Sequence, residues 1–561
     1  MNFGRKGIIM QQSICVWQWI RENHLSFLKY LFSFVLILLA CLPDHSDALF
    51  SGIIQLGVII LVTDVLLRYS RHFQYLNDLV MLVFNTEYIL LYFANSFITL
   101  TMLDNVDSMA DLSGKAAPYV IGVMAVVFIS LMPVIPFGTS RNIKASFIKL
   151  SSAVILQMAI GITFFQNSML GSIVKLNNDY HTYLKMREII DSHTDDPSYN
   201  TGFQDSIFYK PEVQDYIAKP ASLPEKPNII LVFAEGLSSN IIHDERNIMP
   251  NLAAFEKESI SYYGYYNHTF ATYHALQGQL FSGFQFDNYD RNHLVSIQKI
   301  LHDENYASCF INTEPSNEEF SSYLNDLGFD LVISSENLTE VSGLEFVSDA
   351  EAYQLLLKQA EQMSWGGQPF LLSMYSFGTH VSLDSPDEIY GDGSDPLLNK
   401  FFNLDVQVGQ FLEQFRNSQL YDNTIVVFTA DHATYQDQDF SNSFSDYYRA
   451  VTVCDEMPLY IYHKDVSAAE IDVHGKTTID LVPTILDYLD VSGESCFMGE
   501  SLFNEEEGQE IEYVSWNSEY AVRTKDGEIV WITDEELDEL NQLLQQYFIL
   551  YGSQDESAEQ G

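Results

Sequence analysis

Two short segments hold the residues best suited to chemistry. Glu235-Gly236-Leu237-Ser238-Ser239 follows the apolar run Asn228–Ala234, and Asp431-His432-Ala433-Thr434 follows the apolar run Thr424–Ala430. A carboxylate at one strand end and an Asp-His pair at another supply the oxygen and nitrogen donors of a divalent metal site. Each segment has a plainer reading, since Asp and Ser also cap helices. A third segment, 267–283, is rich in hydroxyls and imidazoles: Asn267-His268-Thr269-Phe270-Ala271-Thr272-Tyr273-His274, continuing to Gly278-Gln279-Leu280.

The elements that must position these residues follow from hydrophobic patterning. Asn228–Ala234, Cys309–Ile311, Pro369–Tyr375 and Thr424–Ala430 are nearly unbroken apolar runs, as for strands buried on both faces. Helical patterns such as Leu294–Asp303 and Asn399–Phe415 lie between them. Alternating strands and helices predict a mostly parallel sheet covered on both faces, an α/β/α sandwich that binds ligands beyond the strands' carboxyl ends. Further on, Glu512–Thr533 alternates around Lys525-Asp526-Gly527, predicting a hairpin, and Asp534–Leu550 predicts an amphipathic helix.

The N-terminal part of the chain is physically different. Residues 1–165 hold 10 Lys+Arg and 9 Asp+Glu, whereas residues 166–561 hold 18 and 67, a net charge of -49. Five apolar stretches predict membrane spans: Phe27–Leu42, Leu49–Leu67, Leu79–Leu103, Tyr119–Phe137 and Phe147–Phe165. The first is short, so Lys29 is expected to snorkel toward the headgroups. It reads as an uncleaved anchor rather than a signal peptide, since 26 residues precede it and no small-residue cleavage site follows. Arg5, Lys6, Arg21, Arg68, Arg71, Arg141 and Lys144 fall on one side, and the acidic loops 43–47 and 104–111 on the other, with Lys115 the exception. The bias predicts a multi-pass plasma-membrane protein of bacterial type, with a cytoplasmic N terminus and the acidic part extracellular or periplasmic. Glu87, inside the third span, reads as a hydrogen-bonded packing residue or a contact to a lipid headgroup.

The resulting plan has a five-span bundle (1–166), a juxtamembrane linker (167–225), a catalytic α/β domain (226–505), a C-terminal hairpin and helix (506–552) and a disordered polar tail (553–561). So acidic a chain, with pI near 4.3, excludes nucleic acid as a partner, because phosphate backbones must be met by cations. Of five cysteines only Cys309, Cys454 and Cys496 are placed outside, allowing at most one disulfide; they read as small buried hydrophobes.

The outer part resembles the alkaline phosphatase/sulfatase superfamily, in particular its membrane-anchored branch of lipoteichoic acid synthases, phosphoglycerol transferases and phosphoethanolamine transferases. The resemblance covers residues 226–505 and extends to the anchor. It rests on Pro227–Glu235, Met249-Pro250-Asn251-Leu252, the segment 267–283, Asp431-His432 and Ile479–Leu486, in the family's order. It implies that Glu235, Asp431, His432 and Thr272 are metal ligands and that Thr272 is also the nucleophile. A threonine hydroxyl needs such activation to attack near neutral pH. Thr269 is the rival, and Thr272 is preferred because Ala271-Thr272 and the following Gly278-Gln279-Leu280 look closer to the family segment. The resemblance also implies that His380, in Phe377-Gly378-Thr379-His380, contacts the substrate phosphoryl group or protonates the leaving alcohol. His268 and His274 flank the nucleophile without a matched role. Three oxygen donors and one imidazole suit one Mn2+ or Zn2+ ion, and Mg2+ less well.

The implied function is transfer of a phospho-alcohol group from a membrane phospholipid to an envelope glycan or lipid through a phospho-threonine. Phosphoglycerol is favoured over phosphoethanolamine on the nucleophile segment and the small number of exterior cysteines. The glycerophosphate-binding element of lipoteichoic acid synthases is missing at Ile311–Tyr323, and Asp431-His432-Ala433-Thr434 departs from the Asp-His-Gly-Glu of phosphoethanolamine transferases. Two alternatives from other classes are a sulfatase and a non-catalytic envelope protein. A sulfatase needs a formylglycine made from Cys or Ser, which Thr272 cannot become. A non-catalytic protein would not need Glu235, Thr272, Asp431 and His432 together.

Overall fold

A computed structural model describes residues 24–42, 45–94, 96–104, 116–136, 142–165, 167–194, 203–286, 292–334, 346–381, 383–385, 387–504, 512–516, 519–523 and 527–552. The basic residues before the first span, Cys15, most of the two acidic loops, Lys115, Arg141 and the tail 553–561 lie outside the described residues. The chain divides into two compact units, Met1–Thr182 and Tyr183–Gly561, and the division falls inside the helix Met169–Thr194.

In the first unit, four helices are long and apolar enough to cross a membrane: His24–Cys41, Ser46–Leu67, Phe73–Phe93 and Ile143–Thr163. The expected fourth span differs. Its helix, Ala116–Ser130, has 15 residues and a length of about 22 Å, short of the roughly 30 Å hydrocarbon core. Pro133 pushes Met132 out of the helical region and brings no N–H of its own. The freed backbone is satisfied by neighbouring side chains, because Met132 O accepts from Lys29 Nζ (3.1 Å) and Val134 N–H donates to Gln74 Oε1 (2.8 Å). Lys29 therefore does not snorkel: it is buried and paired with Asp78 at 2.7 Å. The expected third span is also interrupted. Its helix ends at Ala94 and a short helix resumes at Leu100–Asp104. The buried Glu87 caps the break, accepting from Ile98 N–H (2.9 Å) and from the Ser172 hydroxyl (2.9 Å).

The second unit is built on an eight-stranded mixed sheet. Its strands are β1 (Asn228–Ala234), β2 (Ile260–Tyr266), β3 (Ala307–Ile311), β4 (Leu331–Ile333), β5 (Phe370–Ser376), β6 (Thr424–Ala430), β7 (Leu459–Tyr462) and β8 (Ala469–Thr477), in the order β4-β3-β5-β1-β6-β7-β2-β8. Every residue of β1, β5 and β6 is buried, which is why these strands read as unbroken apolar runs. Only β7 runs against its neighbours. Strand β2 is harder to read from sequence, since Gly264 sits at φ +68 and shifts its register with β8 between Tyr263 and Tyr265. The C-terminal hairpin is a three-stranded antiparallel sheet of β9 (Tyr513–Trp516), β10 (Glu519–Arg523) and β11 (Ile529–Trp531), followed by the helix Asp534–Gly552. Cys41, Cys309, Cys454 and Cys496 are free and buried, as small hydrophobes.

Helix Thr272–Phe281 is fixed from below by His268. This imidazole is buried, its Nδ1 lies 2.6 Å from Thr478 Oγ1, and burial pushes its pKa down to about 3. A Cβ on Gly278 would stand 2.1 Å from His268 Nε2, so only glycine lets helix and imidazole meet. Gly278→Ala is expected to destabilise the chain by ~1–3 kcal/mol through overpacking, measured by chemical denaturation in detergent. An unchanged midpoint would contradict this packing.

Candidate active site

Strands β5, β1 and β6 are adjacent and parallel, and Ala234 pairs with both Ser376 and Ala430. The residues just past this aligned row must converge, since parallel strands end at one edge of the sheet. The ladder extends one step further, with Glu235 N–H donating to Ser376 O and Asp431 N–H to Ala234 O, both at 3.1 Å. Glu235, Asp431 and His432 are thereby set side by side, all buried.

One ligand atom from each of the three lies within 4.8 Å of the others. His432 Nε2 is 3.7 Å from Glu235 Oε1 and 3.5 Å from Asp431 Oδ2. Its Nδ1 lies 2.8 Å from Ala433 O and carries a proton, which leaves Nε2 directed at the carboxylates; against the cost of burial, Asp431 and Glu235 raise the pKa of this imidazole. Asp431 Oδ1 accepts from the N–H groups of Gly236 (2.8 Å) and His432 (2.7 Å), whereas the buried Oδ2 has no hydrogen-bond partner. Gly236, at φ +51, adopts the left-handed turn that aims its N–H at Asp431.

The charge state expresses the same arrangement. Burial, with the Glu235 charge adding to it, pushes Asp431 up to about 7. Burial would raise Glu235 too, but His432, His380, the Tyr375 hydroxyl and Lys400 bring it below its ordinary value. An orphaned buried carboxylate oxygen, a second carboxylate and a correctly tautomerised imidazole fit a divalent cation.

Thr272 is the first residue of its helix, half-buried, and its hydroxyl donates to Glu235 Oε2 at 3.5 Å. The rival Thr269 is buried, and its backbone bridges Ser515 on β9. His380 lies in the turn after β5 with its ring stacked on Phe377 at 4.6 Å. Burial holds its pKa below the ordinary value, with Lys400 and His432 helping against Glu235, so the imidazole is neutral near pH 7. His474 is exposed on β8 beside Asp472, at 3.3 Å.

Several supporting residues escape a reading of strand ends. Tyr375, within β5, donates its hydroxyl to Glu235 Oε2. Thr379 donates to Glu235 O at 2.5 Å, and Thr434 to Gly236 O at 2.6 Å. Arg449 is buried, ties Thr434 O (2.7 Å) to Ser238 Oγ (3.1 Å), and is neutralised by Asp455 at 2.5 Å. Asp349 lies under the His380 turn. Burial raises its pKa to about 7, against hydrogen bonds from Gly378 N–H and Asn403.

Residues 227–491 match the family model described as Sulfatase. The matched residues make up just under half of the chain. Over 345 residues it is 24% identical to lipoteichoic acid synthase 2 of Bacillus subtilis (strain 168), covering 54% of this chain and 52% of that protein. The chain thus spans about half the length of the curated relative it matches. The integral membrane lipooligosaccharide phosphoethanolamine transferase A of Neisseria meningitidis shares the fold, with 16% identity, a TM-score of 0.51, and coverage of 82% of this chain and 91% of that one. The lipoteichoic acid synthase of Listeria monocytogenes aligns with 18% identity and a TM-score of 0.49, over 60% of this chain and 96% of that one. Within the matched residues it is Thr272, rather than a Cys or Ser that could yield formylglycine, that stands at the helix start and donates to Glu235.

Two measurements check the electrostatics. Mn2+ or Zn2+ at a hundredfold excess over its Kd is expected to stabilise the folded chain by about 2.7 kcal/mol, seen as a raised Tm that chelation reverses. Asp431→Asn should raise the metal-free Tm, by removing one of two facing carboxylates, and abolish the metal-induced rise. For Asp349 the folded pKa is raised, so its proton stabilises the fold below about pH 4 and that contribution is lost as pH rises through about 7. The Tm advantage of Asp349→Asn over wild type should grow from pH 5 to pH 8; a constant difference would contradict a buried carboxyl titrating there.

Proposed function

We propose that the protein transfers a phospho-alcohol group, preferentially phosphoglycerol, from a membrane phospholipid to an envelope glycan or lipid. The observation that carries this reading is the Thr272 hydroxyl at a helix N terminus, in reach of Glu235 and beside Asp431 and His432. Glu235, Asp431, His432 and Thr272 Oγ1 would hold the divalent ion. When bound, it supplies Lewis acidity to the threonine hydroxyl and to a phosphoryl oxygen. The first N–H groups of helix Thr272–Phe281 point at the same place and favour an anion there.

In the first step Thr272 Oγ attacks the donor phosphorus, the bond to the diacylglycerol oxygen breaks, and the lipid leaves as an alcohol once protonated. In the second, the acceptor hydroxyl attacks the phosphorus and the bond to Thr272 Oγ breaks. His380, neutral near pH 7, would contact the phosphoryl group and relay the proton between leaving and entering oxygens. The described apolar helices support a membrane-integral protein; with Ala116–Ser130 and the non-helical residues 131–136 together making a fifth crossing, the loop charges support a cytoplasmic N terminus and an enzyme unit outside. Phosphoethanolamine transfer is the second reading, favoured by Glu314, whose charge acts on the Tyr375 hydroxyl and would suit a cationic headgroup.

Mass spectrometry of the purified protein after incubation with phosphatidylglycerol and phosphatidylethanolamine tests this. A phosphoglycerol mass on Thr272, absent from Thr272→Ala, is expected; a phosphoethanolamine mass alone would select the second reading. Phospholipid turnover at wild-type rate by Thr272→Ala would overturn both. His380→Ala should lower kcat ~10²–10⁴-fold with the adduct site unchanged.

A further inference from the structure

Helix Thr272–Phe281 meets the site with two polar side chains, not one. Residues seven apart in an α-helix fall about 20° short of two full turns, so Thr272 and Gln279 share a face, about 10 Å apart along the axis. Thr272 donates to the Glu235 carboxylate at 3.5 Å. Gln279 is fully buried, and its Nε2 donates to two successive main-chain oxygens, Ala430 O at 3.1 Å and Asp431 O at 3.0 Å. Both oxygens lie past Thr429, the last β6 residue that β7 pairs. The amide thus takes up the end of β6 where the neighbouring strand stops, and it ties the helix of Thr272 to the main chain of Asp431.

The contact of His268 with Gly278 limits how closely this helix approaches its support. Rotation about the helix axis is a separate freedom, and directed hydrogen bonds fix it more sharply than apolar packing does. A rotation of about 10° moves an oxygen that lies ~5 Å from the axis by about 1 Å. A displacement of that size costs ~10²-fold in rate when the oxygen is the attacking atom. The Gln279 amide bears on this rotation directly, because its two bonds lie on the same helix face as the Thr272 hydroxyl.

We infer that, on the phosphoryl-transfer reading, Gln279 is the positioning residue of the nucleophile. By holding Ala430 O and Asp431 O it sets the rotation of helix Thr272–Phe281, and with it the distance of Thr272 Oγ1 from Glu235 and Asp431.

The test compares Gln279→Met, which keeps the length and removes both donors, with Gln277→Met. Gln277 is a buried glutamine of the same helix whose Nε2 has no hydrogen-bond partner among the described residues. In the full-length, detergent-solubilised protein with saturating Mn2+, phospho-Thr272 forms from whichever of phosphatidylglycerol and phosphatidylethanolamine labels wild type. Its kcat is expected to fall ~10–100-fold in Gln279→Met, with KM within about threefold, and to stay within about threefold in Gln277→Met. Gln279→Asn, with the same amide on a shorter arm, carries the comparison if the Met variant does not fold. Equal losses at 279 and 277, or a raised KM with kcat retained, overturn the inference and show a packing role. A second readout needs no turnover: a double-mutant cycle of Gln279→Met and Thr272→Ala on Mn2+ affinity, by calorimetry. Each change is expected to weaken Mn2+ binding, and the double variant to fall short of the product of the two losses by ~3-fold or more; independent losses overturn the inference. If wild type binds Mn2+ without forming the adduct, the transfer reading falls and the cycle alone decides the role of Gln279. If wild type does neither, both fall.

Discussion

Glu235 and Asp431 are two carboxylates buried at the carboxyl ends of neighbouring parallel strands, with the His432 imidazole facing both. Like charges this close in a low-dielectric interior repel, and Asp431 responds with a pKa raised to about 7. The surrounding structure holds the pair together against that repulsion. The ladder hydrogen bonds of β5, β1 and β6 fix the backbone, and the Gly236 and His432 N–H groups fix Asp431 Oδ1. One oxygen of Asp431, Oδ2, is left without a hydrogen bond, and it lies 3.5 Å from His432 Nε2. This donor set fits a divalent cation.

Support for the triad comes in layers. Tyr375, Thr379 and Thr434 bind Glu235 and Gly236 directly. Arg449 ties the turns after β1 and β6 to each other, and its charge is cancelled by Asp455. His268 and Gly278 set the height of the helix that begins at Thr272. Asp349 and Lys400 grip the His380 turn from separate helices, one at the Gly378 N–H and the other at the His380 carbonyl. Positioning to a fraction of an ångström is where much of the advantage of an enzyme lies, and these groups supply it.

The sequence disclosed what depends on local pattern. Strands β1, β5 and β6 are buried on both faces, so their apolar runs and the polar residues after them were legible, and with them Glu235, Asp431, His432 and His380. Tyr375 was hidden because its side chain acts from inside a strand that otherwise reads as core. Lys400, Arg449 and Asp349 were hidden because each meets the site only through tertiary packing, 17 to 31 residues away from the nearest of Glu235, Thr272, His380, Asp431 and His432. In the membrane unit the helix ends differ from the expected spans where side chains satisfy a broken backbone. Neither Lys29 bound to Met132 O nor Glu87 bound to Ile98 N–H leaves a periodic trace.

We propose that Glu235, Asp431 and His432 together hold one divalent cation. Elemental analysis of the purified full-length chain by inductively coupled plasma mass spectrometry, after equilibration with Mn2+ and Zn2+ and removal of free metal, tests it directly. About one tightly held ion per wild-type chain is expected, falling to background in Glu235→Gln and in Asp431→Asn. A wild-type chain without bound metal, or variants that retain it in full, would contradict the account.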